Sequence, residues 1–131
     1  MTLTKNRAAA RAYFELVLNR GDMSAADAIF SPDIRFHYPL GDLSGAAAVK
    51  SYVEAVRSAF ADIRFTVAEY IGEADRVAAR WSLAGSQTGE FKGRPPTNSK
   101  VSVPGITVMS FEDGKIEEMW IAFDPARLTD S

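Results

Sequence analysis

The sequence predicts an α+β fold: a cone-shaped barrel in which a curved antiparallel sheet carries three helices on its concave side. Three observations predict it. Apolar residues recur at helical spacing through the first half of the chain, whereas from Ile63 onward the period is two. Turn signals at Gly72–Asp75 and Asp113-Gly114 divide the second half into a meander. Helices first and strands after give the order α-α-β-α-β-β-β-β in a single domain over residues 1–131.

The elements follow in chain order. Thr4 is placed to cap a first helix, whose inward stripe is Ala9, Ala12, Tyr13, Leu16 and Val17, and Gly21 ends it. Asp22 caps a short second helix with Met23, Ala26, Ile29 and Phe30 inward, stopped at Ser31-Pro32. Asp33 to Tyr38 alternates as a strand, and Leu40–Ser44 reads as a loop. Ser44 is the expected cap of a third helix, Gly45 to about Phe60, with the stripe Val49, Tyr52, Val53, Val56 and Phe60. Ile63, Phe65, Val67 and Ile71 then share one strand face, and Val77, Ala79, Trp81 and Leu83 share a face of the next. Lys92–Asn98 is a loop by its Pro, Gly and Asn content. Lys100 to Glu112 is a strand with a bulge expected at Pro104-Gly105, because Pro cannot donate to a ladder. Lys115–Asp124 is the last strand.

Composition excludes several functions. With no cysteine there is no disulfide, thiolate zinc site or cysteine nucleophile, and one histidine cannot build a multi-histidine metal centre. A net charge of −2 without a Lys/Arg run argues against nucleic-acid binding. No stretch approaches the ~18 apolar residues of a membrane span, and the N-terminal segment lacks the apolar region of a signal peptide, so the expected location is the cytoplasm.

The last strand raises a question of facing. Ile116, Glu118, Trp120, Ala122 and Asp124 alternate with Met119, Ile121 and Phe123. Directing the first set into the cone leaves three large apolar side chains on the outer sheet face, which predicts a homodimer through that face.

The segments FHYPLGDLSGAAAVKSYVEAVRSAFADIRFTV and ADRVAARWSLAGSQTGEFKGRPPTNSKVSVPGITVMSFEDGKIEEMW, followed by Phe123-Asp124, resemble the SnoaL-like polyketide cyclases of the nuclear transport factor 2-like superfamily. Thr88-Gly89-Glu90-Phe91, Pro95-Pro96-Thr97, Asp113-Gly114-Lys115-Ile116 and the Trp120-x-x-x-Asp124 spacing carry the resemblance. It implies a cone-shaped barrel, a homodimer, no metal or organic cofactor, and ring closure by intramolecular aldol chemistry. It also implies an acid/base Asp at the end of the last strand, here Asp124.

Two candidate catalytic residues follow. Asp124 in an apolar pocket would be raised in pKa by desolvation, toward the range of a general base. The same residue, followed by Pro125, also has the form of a helix N-cap. His37 is the only side chain here that titrates near neutrality unperturbed, so it is a candidate proton donor or an orienter of Asp124. Trp120, Trp81, Tyr52, Phe60, Tyr13 and Met109 are candidates for the wall of a pocket holding a flat hydrophobic ligand, as well as for plain core. Arg80 is expected to face outward, and Glu117 and Glu118 to form a solvated rim. The strand before the last carries no His, unlike the characterised cyclases that the sequence resembles, so three readings stand. They are a cyclase or isomerase, an epoxide-opening enzyme, and a non-catalytic ligand-binding or dimerisation module.

Overall fold

The structure is a computed structural model, and it describes residues 2–91 and 93–129. Helix α1 (Thr2–Ala12) runs without a break into a π-helical segment, Tyr13–Leu18. After α2 (Met23–Ile29) come β1 (Phe30–Tyr38), β2 (Gly41–Ser44), α3 (Ala46–Ala59), β3 (Arg64–Glu73), β4 (Arg76–Ser86), β5 (Lys100–Glu112), β6 (Lys115–Phe123) and the single turn α4 (Ala126–Thr129). The sheet is curved and unclosed, with strand order β2-β1-β6-β5-β4-β3. All its pairs are antiparallel except β1 with β6, which are parallel, because the chain leaves β1 early and returns beside it only at its end.

The π segment changes which residues α1 buries. Helical spacing puts Leu16 inward, but the wider turn brings Tyr13, Phe14, Val17 and Leu18 all into the core. Segments of this kind are rare and cluster at functional sites. Gly21, at φ +68°, ends the helix as expected. Arg57 donates from Nη1 to the carbonyls of Leu18 (2.6 Å) and Asn19 (2.8 Å), satisfying acceptors that the helix end leaves open.

Asp22 caps α2, accepting from Ala25 N at 3.1 Å. The other two expected caps do not form. Thr4 lies inside α1, and Ser44 closes β2, leaving Gly45 (φ +92°) as the N-cap of α3. The stretch expected as a loop before α3 instead pairs with β1, Phe36 opposite Leu43.

Two β-bulges set which side chains face inward. On β3, Val67 pairs with Trp81 and Glu69 with Arg80, so Ala68 is the extra residue. Beyond it the alternation flips. Tyr70 turns inward against Phe14, while Ile71, expected on the face of Val67, is 60% exposed. On β6, Phe111 pairs with Ile116 and Ser110 with Glu118, so Glu117 is extra. Ile116, Met119, Ile121 and Phe123 therefore all point to the concave side, and Glu118, Trp120, Ala122 and Asp124 to the outside. Ile116 is inward as expected, but from Glu118 onward the expected facing of the last strand is reversed. No bulge forms at Pro104-Gly105: the β4–β5 ladder is continuous there. The β5–β6 ladder ends at Gly105 and Phe123, so the missing N–H of Pro104 has no strand to serve on that side.

Among the described residues, no helix is long and apolar enough to cross a membrane.

Candidate functional site

The concave face of the sheet and the helices across it enclose a cavity. The π segment contributes Tyr13, Phe14 and Leu18; β1 adds Phe36 and Tyr38; α3 adds Tyr52, Val53 and Val56. Trp81 and Leu83 of β4, Thr107 of β5, and Ile121 and Phe123 of β6 form the sheet side. Phe60 at the end of α3, Phe65 of β3, Phe91 from the segment between β4 and β5, and Leu128 of α4 complete it. That segment is tied down by Gln87, which is buried and donates from Nε2 to the carbonyls of Gly89 (3.2 Å) and Pro95 (3.2 Å).

The wall is apolar apart from a few uncharged polar groups: the hydroxyls of Tyr13, Tyr38, Tyr52 and Thr107, and the Trp81 indole N–H. Trp81 Nε1 donates to Thr107 Oγ1 at 2.9 Å. The Tyr38 and Tyr52 rings meet at 4.7 Å. Burial pushes the Tyr13 phenol far above its ordinary pKa, and the charge of an ionised Tyr52 would push it further. Burial does the same at Tyr52, reinforced by Tyr38. These phenols remain protonated at neutral pH and can donate hydrogen bonds.

The cavity is small, about 60 Å³. A site for one water takes roughly 10–15 Å³, so this is room for a few waters or a small ring system. That suits one or two fused rings; a larger ring system would have to protrude or widen the cone.

The expected site residues divide into two groups. Tyr13, Tyr52, Phe60 and Trp81 line the cavity. Met109 is fully buried but is not part of the wall. Trp120, Asp124 and His37 lie outside it, on the outer sheet face, because the bulge at Glu117 and the pleat of β1 direct them there. Asp124 is exposed, and its Oδ1 accepts from Ala126 N at 3.0 Å, the arrangement of a cap at the start of α4. The expectation of a desolvated Asp124 inside the cone is thus corrected.

His37 stands in a polar cluster on the outer face. Its Nε2 is 2.7 Å from Glu118 Oε2 and its Nδ1 3.2 Å from Asp42 Oδ1. Arg35 Nη2 donates to Glu118 Oε1 at 2.7 Å. Glu118 is therefore a paired, mostly covered group rather than a solvated rim. The hydrogen bond to Glu118, then that to Asp42, raise the His37 pKa. Arg80 faces outward as expected, bonded to Glu69 through Nε (3.0 Å) and Nη2 (2.7 Å). Among the described residues, no group of three or more His, Cys, Asp or Glu side chains could hold a metal ion.

Reading periodicity alone missed Tyr38, Thr107, Ile121 and Phe123. Tyr38 had a signal, since it alternates with Phe36 on the face opposite His37. Thr107 is a polar residue amid the inward apolar series Val103, Met109 and Phe111, an anomaly visible once the facing of β5 is known.

The family model described as SnoaL-like polyketide cyclase matches residues 7–130. The chain belongs to the SnoaL-like polyketide cyclase family. Its cone is shared with solved structures. A candidate SnoaL-like polyketide cyclase from Jannaschia sp. CCS1 superposes with a TM-score of 0.90 at 22% identity, covering 98% of this chain and 91% of that one. AclR, a candidate hydroxylase from Streptomyces galilaeus, gives 0.82 at 28% identity over 96% and 93%. IdmH, a candidate polyketide cyclase from Streptomyces antibioticus, gives 0.81 at 23% over 95% of each. No curated protein matches the chain. Membership in this family supports a cyclase-type role.

Proposed function

We propose that this SnoaL-like protein is a cofactor-independent enzyme that closes a ring by aldol-type chemistry on a small, apolar, polyketide-like substrate held in the cone cavity. The observation that carries this reading is the cavity itself: an apolar space for one or two rings, with uncharged hydroxyl donors on its wall. In such a closure a carbon beside a carbonyl loses its proton. The resulting enolate carbon bonds to a second carbonyl carbon of the same molecule, and that carbonyl's oxygen takes up a proton. Atoms balance within one substrate, so no co-reactant is needed. A carbon flanked by two carbonyls enolises in water without a dedicated base. What the protein adds is confinement of the folded chain with the reacting carbons close, which removes an entropic barrier. Donors toward the oxygen that gains charge add to it.

His37 and Asp124 are left out of this mechanism because neither lines the cavity. Epoxide opening is likewise not favoured, since Arg80 is engaged with Glu69 on the outside.

The test uses a synthetic aryl-1,3,5-triketone, with product formation followed by absorbance and chromatography. The protein should accelerate closure over buffer, and Val56→Phe, which fills the cavity, should abolish the acceleration while leaving Asp124 and His37 in place. A substrate that binds but closes at the buffer rate would remove the enzyme reading. The second reading, a ligand-binding module, would then hold; the wall supports it in having no carboxylate, imidazole or ammonium among its described residues.

A second part of the proposal concerns assembly. The outer face between β4, β5 and β6 presents Ile106, 49% exposed, beside Val108, Trp120 and Ala122. A second copy of the chain is the proposed cover, through these residues rather than Met119, Ile121 and Phe123, which are turned inward.

A further inference from the structure

We infer that the Thr107 hydroxyl, held by the Trp81 indole on the sheet floor of the cavity, is the hydrogen-bond donor that fixes a carbonyl oxygen of the ligand. This rests on the reading of the cone as a ligand cavity and deepens it by naming the residue that selects a ketone over a hydrocarbon of the same shape.

Trp81 pairs with Gly105 in the β4–β5 ladder. Gly105 has no side chain, so the indole crosses from β4 onto β5: a Cβ on Gly105 would stand 2.3 Å from Cζ2 and 2.4 Å from Cη2. Thr107, two residues further along β5, is on the same face, and Trp81 Nε1 reaches its Oγ1 at 2.9 Å. Phe65 of β3 stands edge-on to the indole at 5.3 Å and Phe123 of β6 packs against it at 6.2 Å, so aromatic neighbours hold the ring from two strands. Trp81 and Thr107 both line the cavity, and both are buried. The hydroxyl is thus placed twice over, by the restricted χ1 of a β-branched residue and by a bond to a wedged indole. Little rotational freedom is left for it to lose on binding a ligand.

Polarity comes next. An indole N–H only donates, so Thr107 Oγ1 is the acceptor in its bond with Trp81 and its own proton remains to be given. Among the described residues, the Thr107 hydroxyl donates to no other side chain or carbonyl. Its neighbours on the sheet side of the wall, Leu83, Ile121 and Phe123, carry no side-chain acceptor. A ketone oxygen in the cavity supplies the acceptor and brings no charge that an apolar wall would have to compensate. A hydrocarbon filling the same space leaves the hydroxyl dry and unbonded, which is how a polar site rejects an analogue lacking the matching group. The indole beside Thr107 offers apolar surface to the ring that carries the ketone. In the ring closure proposed above, the carbonyl under attack gains negative charge on its oxygen, so a bond from Thr107 strengthens toward the transition state.

Two probes on one bicyclic frame test this, 1-indanone and indane, each titrated calorimetrically into the wild-type protein, Thr107→Val and Thr107→Ser. Val keeps the shape of Thr without the hydroxyl, and Ser keeps the hydroxyl. Thr107→Val should weaken indanone by about three- to tenfold, the range of one neutral hydrogen bond, and leave indane within about twofold. Thr107→Ser should hold the ratio of the two affinities near the wild-type value. A ratio that is the same in wild type and Thr107→Val overturns the inference, as does a ratio lost equally in Val and Ser. Binding of neither probe to the wild-type protein overturns it together with the cavity reading. A measurement on wild-type protein alone covers a Val variant that fails to fold. With carbonyl-labelled 13C-indanone, the bound carbonyl resonance should lie downfield of its position in cyclohexane, and the ligand's C2 protons should show a nuclear Overhauser effect to the Thr107 methyl. A bound resonance at the cyclohexane position, or ligand contacts confined to other methyl groups, sinks the assignment. Should indanone show the Thr107-dependent preference while the triketone closes at the buffer rate, the donor stands and the enzyme reading alone fails. Triketone closure equally fast in Thr107→Val, with no preference for indanone, has the opposite meaning.

Discussion

On the outer face of the sheet, His37 Nε2 lies 2.7 Å from Glu118 Oε2 while the imidazole stacks over the Trp120 indole at 6.0 Å. Its other nitrogen faces Asp42, its partner on β2, and the nearby cation Arg35 is engaged by Glu118. Both ring nitrogens thus face carboxylates, an arrangement that suits the imidazolium.

This geometry gives a pH dependence with a definite sign. The His37 pKa is raised in the folded protein, chiefly by Glu118 and then by Asp42. The folded state therefore holds its proton to higher pH than the unfolded chain does. The associated stability is complete below the unfolded value of about 6.5 and is lost as pH rises through the folded pKa. Urea unfolding from pH 5.5 to 8.5 should show wild-type stability falling over this window relative to His37→Gln. Parallel curves for the two proteins would mean that the cluster does not bind the proton preferentially when folded.

Gly105 provides a second prediction. A Cβ there would stand 2.3 Å from Trp81 Cζ2, and Trp81 is buried and bonded to Thr107. The indole cannot swing away without breaking that bond and entering the cavity. Gly105→Ala should cost about 1–3 kcal/mol, as overpacking does, and should also lower the affinity for cavity ligands. Melting by calorimetry checks the first effect, and calorimetric titration with a small bicyclic hydrocarbon, indane, checks the second. An Ala variant as stable as wild type would show that Trp81 has room to move.

How much of this was legible beforehand depends on where the alternation stayed regular. The stripe of α3 was readable because Val49, Val53, Val56 and Phe60 keep an unbroken helical period, and all are buried. Val77, Ala79, Trp81 and Leu83 were readable for the same reason at period two. On β6 the reading failed at one residue. Glu117 is a bulge, so Ile116 shares the inner face with Met119, not with Trp120, and everything assigned by even numbering from Ile116 was inverted. A one-residue slip moves every side chain to the other face, and nothing in Lys115-Ile116-Glu117-Glu118 marks the bulge. Tyr13 and Tyr52 were reachable from helical spacing, and Tyr38 from strand alternation. That they meet around one space was not, since it requires the π segment and the path of β1 beside β6.

Asp124 can be tested as cap and as base separately. Its side chain accepts from Ala126 N, and Asn serves that position nearly as well. Asp124→Asn should leave the melting temperature nearly unchanged, whereas Asp124→Ala should cost about 0.5–2 kcal/mol. Neither should change the affinity of a cavity probe such as indane, because the carboxylate is not part of the cavity wall. Closure of the triketone should persist in the Asn variant within a few-fold of wild type. Loss of closure there, with indane affinity intact, would return Asp124 to the catalytic step and sink a mechanism that omits it.

The outer face yields the last prediction. Exposed Ile106 and Ala122 face each other across the β5–β6 ladder, with Val108 and Trp120 as the next pair along it. Arg80 with Glu69 bounds this apolar strip on one side, and His37 with Glu118 on the other. Such a strip, apolar in the middle and charged at its rim, has the layout of an interface core. Light scattering at micromolar concentration should give about twice the 14.3 kDa chain mass. A carboxylate at the centre would be buried opposite its own symmetry mate, at a cost the interface cannot offset. Ile106→Glu should therefore halve the observed mass with an unchanged circular dichroism spectrum, since the Ile106 side chain supports no part of the core. Wild-type protein that is monomeric at this concentration would refute assembly through this face. A dimer that survives Ile106→Glu would move the interface elsewhere on the molecule.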